Sequence, residues 1–208
     1  ICNRDFADYL QTQIVEDIRQ TMMPTWQKRH LMHQSMSETR NPKVPSTIIE
    51  LLSHHNYYDM TFGLDPKFKF IASRAIYKGM LRFIHQTTGT PYVVQPLPVQ
   101  QMNVSYANKN TLQISWNERV DRLEPTATPT YYVLYTRTSQ LKNGEWITSD
   151  WDNGMVVNQN SATISIKRGV KYDFMVRAGN TGGVSLPSEV LSAYIDPKYD
   201  NNLALIIN

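Results

Sequence analysis

The 208 residues carry 21 Lys and Arg against 18 Asp and Glu, a formal net charge of +3, so no strong basic field argues for a nucleic-acid partner. Hydrophobic residues at 41% and charged residues at 19% exclude a disordered tail, and the length is enough for one large or two ordinary domains. The apolar runs fall far short of the ~18 residues of a membrane span. A single cysteine, Cys2, excludes an internal disulfide and leaves a cysteine-based zinc site without support.

No start Met or signal peptide opens the chain, and Ile1 leads almost directly into a helical pattern. The expectation is a fragment of a longer protein, so the absence of a targeting segment does not argue for the cytoplasm. Residues 3–23 read as an amphipathic helix: Phe6, Leu10, Ile14, Ile18 and Met22 recur every four residues, with Asp5 and Asp8 near the positive end. Pro24 stops it. Residues 25–43 lack periodicity and read as a loop in which Trp26, Leu31 and Met32 are expected to pack. His30-x-x-His33 falls in that loop without the helix of an HExxH site, a weak metal pattern.

Residues 44–56, VPSTIIELLSHHN, contain Ile48-Ile49-Glu50-Leu51-Leu52, an apolar run of strand length broken by one carboxylate. A run apolar on both faces suits a strand of a parallel sheet covered by helices, and Glu50 then needs a cation, a proton or a solvent-filled cleft. Glu50 lies near the end of the run, and open α/β sheets place their ligands outside the C-terminal ends of strands. The competing expectation is a Glu paired with Arg40, Arg74 or another cation. After a polar spacer, Asp65-Pro66 signals a helix start, and residues 66–84 read as one helix with Phe68, Ile71, Ala72, Ala75, Ile76, Gly79, Met80 and Phe83 on its packed face.

PSTIIELLSHHN, a spacer and RAIYKGMLRFI together resemble the last strand and last helix of the zinc-dependent N-acetylmuramoyl-L-alanine amidases, which hydrolyse peptidoglycan. The resemblance implies a partial α/β domain of helix-strand-helix form over residues 1–90. It implies Glu50 as catalytic base toward a zinc-bound water, with Arg40 and Asn56 at the substrate; His54, beside the expected cleft, is a further substrate-contact candidate from its position. The family's zinc ligands would lie upstream of residue 1, so the resemblance implies an inactive fragment completed by the missing N-terminal part of the same protein. Leu51-Leu52-Ser53-His54-His55 departs from the family's small residue and Phe. Adjacent His54 and His55 are expected to point apart, and so not to share a metal. His85, near the helix end, suits the dipole as a cation.

Gly89-Thr90-Pro91 and the Pro96 and Pro98 pair mark an extended linker, residues 91–100. Alternation with frequent turn signals then predicts an all-β sandwich over 101–196, with strands at 102–106, 111–116, 131–138, 155–157, 161–166, 171–178 and 190–194. Leu112-x-Ile114-x-Trp116, Tyr132-x-Leu134, Gly169-x-x-Tyr172-x-Phe174-x-Val176-x-Ala178-x-Asn180 and Gly183-x-Ser185-x-Pro187-Ser188 resemble a fibronectin type III domain, Tyr172 standing at its tyrosine corner. Lys142-Asn143-Gly144 reads as a hairpin turn. Trp146 and Trp151 are candidates for stacking on sugar rings, against the plainer reading of rim and core packing. Asp150, Asp152 and Asn153 lack EF-hand spacing and read as a solvated turn. Residues 199–202 read as a turn and 203–207 as the first strand of a further domain, 197–208, cut short.

The expected function is a secreted or cell-envelope bacterial hydrolase cleaving the bond between N-acetylmuramic acid and L-alanine, with the β domain as spacer or binder. Its partner is peptidoglycan or another envelope glycan. The alternative is a surface carbohydrate-binding or adhesion protein, or an accessory region of a polysaccharide-degrading enzyme, with a non-catalytic α/β part.

Overall fold

The computed structural model describes residues 2–108, 110–198 and 205–207. It divides into two units, Ile1–Tyr92 and Val93–Asn208.

The first unit is built on two helices, α1 (Asn3–Thr21) and α4 (Pro66–Thr88), with the short α2 (Ser37–Arg40) and α3 (Tyr57–Leu64) between them. Asp65 caps α4 by accepting a hydrogen bond from Lys67 N at 2.8 Å, and Pro66 occupies the first helical position, where its missing N–H costs nothing. The apolar period fades after Phe83, but α4 continues to Thr88 and ends on Gly89, whose φ of 73° is the left-handed cap that glycine adopts without strain. Ile14, Ile18, Phe68, Ile71, Ala72 and Ala75 form the core, with Trp26, Leu51, Leu52 and Phe62 packed against it. Gly79 lets the two long helices approach: a Cβ there would stand 3.0 Å from Leu10 Cα.

One charged contact lies inside this packing. Lys78 Nζ meets Asp17 Oδ2 at 2.6 Å with 1% of the lysine side chain and 4% of the aspartate exposed, and Gln13 Nε2 donates to Asp17 Oδ1 at 2.9 Å. The paired charges offset one another where neither ion has water, and the amide N–H supplies the second carboxylate oxygen with a donor.

The helix-strand-helix expectation is corrected here. Residues 41–56 are irregular, and the described part of the first unit contains no strand. Among the described residues Ile48–Leu52 form no backbone-to-backbone hydrogen bond. A strand exists only through a neighbouring ladder. Leu51 and Leu52 turn to the helical core, while Ile48 and Ile49 remain 44% and 37% exposed.

The second unit begins in the stretch read as a linker. It is extended, but Val94, Pro96, Leu97 and Val99 are buried, and Asn180 Nδ2 donates to Val94 O at 2.9 Å and Thr126 O at 3.0 Å. Strands β1 (Gln100–Asn108), β2 (Thr111–Asn117) and β6 (Ser161–Ser165) form one sheet in the order β1-β2-β6. The second sheet runs β10-β9-β7-β3-β4, from β3 (Tyr131–Lys142), β4 (Glu145–Thr148), β7 (Val170–Asn180), β9 (Leu191–Ile195) and β10 (Leu205–Ile207). Short β5 (Met155–Val157) pairs with β3, and β8 (Gly183–Val184) with β7. Leu112, Ile114, Trp116, Leu134, Phe174 and Val176 fill the space between the sheets. Lys167 N donates to Tyr172 Oη at 2.9 Å, closing the tyrosine corner.

Two details differ from the sequence reading. Strand β4 follows Lys142-Asn143-Gly144-Glu145 as the return arm of a hairpin, with Asn143 and Gly144 at φ 52° and 85°, the left-handed pair of a type I′ turn. Leu205–Ile207, read as opening a further domain, pairs antiparallel with β9 at the edge of the second sheet. The turn expected at 199–202 lies outside the described residues.

Replacing Lys78 by Met should leave Asp17 buried without its cation and lower the stability of the chain by about 3–5 kcal/mol. Urea unfolding checks this, and Asp17→Leu in the same chain should return much of the loss.

Candidate functional site

In the first unit a cleft of about 650 Å³ runs along residues 47–53, walled on its other side by α1 and the segment holding Trp26 and Arg29. Glu50 is exposed on its wall, and among the described residues the carboxylate has no ion pair or hydrogen bond. Of the other residues singled out from the sequence, Asn56 and His55 line the same cleft. Arg40 does not: it sits in α2 and donates through Nη1 to Ser35 Oγ at 3.4 Å. Its expected partnership with Glu50 is not formed.

Asn56 is occupied by a structural task. Its Oδ1 accepts from Tyr58 N at 2.9 Å and Asp59 N at 3.4 Å, the N-cap of α3, while Asp59 Oδ2 accepts from Ser53 N at 2.8 Å. Asn56-x-x-Asp59 is a helix-start signal present in the sequence, and α3 is the element it announces. The histidine rings do not point apart. The His54 and His55 centroids are 3.9 Å from one another, with His55 alone on the cleft wall. Tyr58 and Asp59, absent from the sequence-derived set, also face the cleft.

Among the described residues no three His, Cys, Asp or Glu side chains come together as a metal site. The amidase resemblance puts its zinc ligands upstream of residue 1, and the described residues supply no ligand set of their own. A second cleft of about 790 Å³, between α1, α4 and the segment near His30, is lined by Arg4, Lys28 and Arg29 against Asp5 and Asp8. There Lys28 Nζ reaches Asp8 Oδ1 at 2.9 Å and Thr12 Oγ1 at 2.7 Å.

The second unit carries its polar chemistry on the outer face of the larger sheet. Arg137 Nε donates to Asp173 Oδ2 at 2.8 Å, Ser192 Oγ donates to Asp173 Oδ1 at 2.6 Å, and the Arg137 guanidinium lies 4.6 Å from the Trp151 ring centroid. Burial alone would raise the Asp173 pKa. The hydrogen bonds from Ser192 and Arg137 and the charges of Arg137 and Lys171 outweigh it and hold the carboxyl below its ordinary value. Trp146 and Tyr194 meet edge to face at 5.6 Å and 82°.

The strand order β1-β2-β6 against β9-β7-β3-β4, closed by the Tyr172 corner, decides the fold of this unit. It is a fibronectin type III-like sandwich. No protein-family model and no curated protein matches the chain. Among solved structures, the third fibronectin III domain of human KIAA0343 protein is 12% identical with a TM-score of 0.39, covering 51% of this chain and 87% of that one. The FN5 domain of Drosophila Lar is 15% identical with a TM-score of 0.33, covering 47% of this chain and 92% of that one. Titin kinase with its flanking domains is 21% identical with a TM-score of 0.35 over 47% of this chain, which spans only 16% of that structure. A fibronectin type III-like module is consistent with a spacer or a binding domain.

Two outcomes follow. Asn56→Ala should destabilise α3 by about 1 kcal/mol through loss of its cap, read as faster hydrogen exchange of the α3 amides. Because the folded-state pKa of Asp173 is depressed, its contribution is full above the ordinary value near 3.8 and is lost as pH falls through the lowered one. Asp173→Asn should make the acid limb of stability against pH shallower, as measured by urea unfolding across that range.

Proposed function

We propose that this chain belongs to a secreted or cell-envelope peptidoglycan hydrolase, acting on the amide between N-acetylmuramic acid and L-alanine. In this reading the fibronectin type III-like unit spaces the catalytic part or holds it on the polymer. The observation that carries it is Glu50: a carboxylate left open on a cleft wall, inside an apolar run whose sequence resembles the amidase ending. An exposed carboxylate with no ion pair can take a proton from an attacking water and return it to the leaving amine. The zinc of the resemblance has no ligand set among the described residues, and no step is assigned to it. Arg40 has no part in this reading, and Asn56 serves it through the cap that shapes the cleft rim. In this reading His55, on the cleft wall, takes the substrate contact expected of His54.

The second reading, a glycan-binding or adhesion protein without catalysis, is favoured by the irregular backbone at Ile48–Leu52, which lacks the sheet strand of the amidase resemblance. Muropeptide release separates the two. The complete protein, supplied with zinc, should release muropeptides from purified peptidoglycan. Glu50→Gln should slow release on the order of a hundredfold or more. Release at the wild-type rate by the variant, or none by the complete protein, would leave the binding reading standing.

A further inference from the structure

The outer face of the larger sheet in the second unit presents a set of side chains that the sandwich core does not require. Alternation along β3 buries Tyr132 and Leu134 and sends Arg137, Ser139 and Leu141 to the opposite face. The register sets Lys171, Asp173 and Arg177 of β7, Ser192 and Tyr194 of β9, and Trp146 of β4 on that same face. Its strands carry three cations, Arg137, Lys171 and Arg177, against one carboxylate, Asp173, which Arg137 and Ser192 engage and Lys171 neighbours, while Asp150 and Asp152 flank Trp151 at the rim beside β3. At the hairpin tip Lys142 and Glu145 stand opposite and offset each other.

Trp146 is 45% exposed, yet it is not a loose side chain, because Tyr194 meets it edge to face from β9. Ser139, in the row Thr148–Ser139–Lys171–Tyr194 next to that of Trp146, is only 4% exposed although it belongs to the outer face, and its hydroxyl meets Thr148 Oγ1 at 2.9 Å. The indole is thus oriented before any ligand arrives, which reduces the ordering cost of binding. Leu141, its directly paired neighbour, is exposed beside it.

We propose that this face, with Trp146 as the stacking platform and Lys171 as the anion contact, binds a glycan chain that bears carboxylates. The apolar C–H face of a pyranose ring stacks on the indole, and a sugar carboxylate meets the ammonium of Lys171, whose Cα partner is Tyr194. Lys171, the cation beside the ring pair through its partner Tyr194, selects an acidic over a neutral polymer. An extended peptide fits less well, since it adds along a sheet edge and β4 offers an edge of four residues. Hydrolysis of the muramoyl amide frees one carboxylate per cleaved sugar, so the inference deepens the proposed function through its glycan partner. It does not depend on Glu50.

Calorimetric titration of the 208-residue chain tests it with three probes: oligogalacturonate, a neutral chito-oligosaccharide of equal length, and poly-glutamate. Oligogalacturonate should bind saturably, weaken as salt rises, and bind more tightly than the other two. Trp146→Ala should weaken it by about tenfold, the effect of one anchoring aromatic. Lys171→Gln should weaken it and flatten the salt dependence, and both variants should stay cooperatively folded, with urea midpoints well above the conditions of the titration. No binding, equal binding of the neutral oligomer, tighter binding of poly-glutamate, or an unchanged affinity in Trp146→Ala would overturn the site. Loss of muropeptide release in Glu50→Gln with oligogalacturonate binding intact would separate the two proposals.

Discussion

A peptide group removed from water must find a hydrogen-bond partner, and this constraint sorts the protein into its settled and its open parts. In the second unit the ladders between β7 and its neighbours β3 and β9 satisfy the main chain, and Asn180 ties in the extended stretch through Val94 O. In the first unit α1 and α4 satisfy their own backbones. Residues 47–53 lie between these solutions: too apolar to be a solvated loop, without a ladder to make them a strand.

That intermediate condition creates the cleft. Leu51 and Leu52 turn inward onto the helical core, and Ile48, Ile49 and Glu50 are left along an open wall. The α3 cap holds the far end of the segment, since Asn56 and Asp59 take the free amides of Tyr58 and Ser53. The Lys78–Asp17 pair plays a different part. Hydrophobic contacts between α1 and α4 are tolerant of sliding, whereas a buried ion pair is costly in any register that separates its partners.

The outer face of the larger sheet shows how polar groups are kept on a strand surface without being left bare. Asp173 takes Arg137 and Ser192, Arg137 stacks on Trp151, and the Trp146–Tyr194 pair spans the strands near Ser139. Packing and an available binding surface are therefore not alternatives here. The contacts that order the rings are what make one of them fit to receive a ligand.

The two long helices, the Asp65-Pro66 start and nearly every strand of the sandwich were legible in the residues, because each rests on local periodicity, capping or turn chemistry. The hairpin arm β4 and helix α3 were missed although Asn143-Gly144 and Asn56-x-x-Asp59 announce them, both lying next to longer segments that dominated the pattern. Glu50 was legible as an isolated carboxylate in an apolar run, but its surroundings were not. Whether Ile48–Leu52 becomes a strand depends on a neighbouring backbone, whether Arg40 reaches Glu50 depends on where α2 lies, and whether Trp146 is ordered depends on Tyr194, 48 positions along the chain. The sequence alone determined which segments are helical, which alternate and where the unusual carboxylate stands. Only the tertiary structure decided which of them find partners, because pairing and burial are properties of residues distant in the chain.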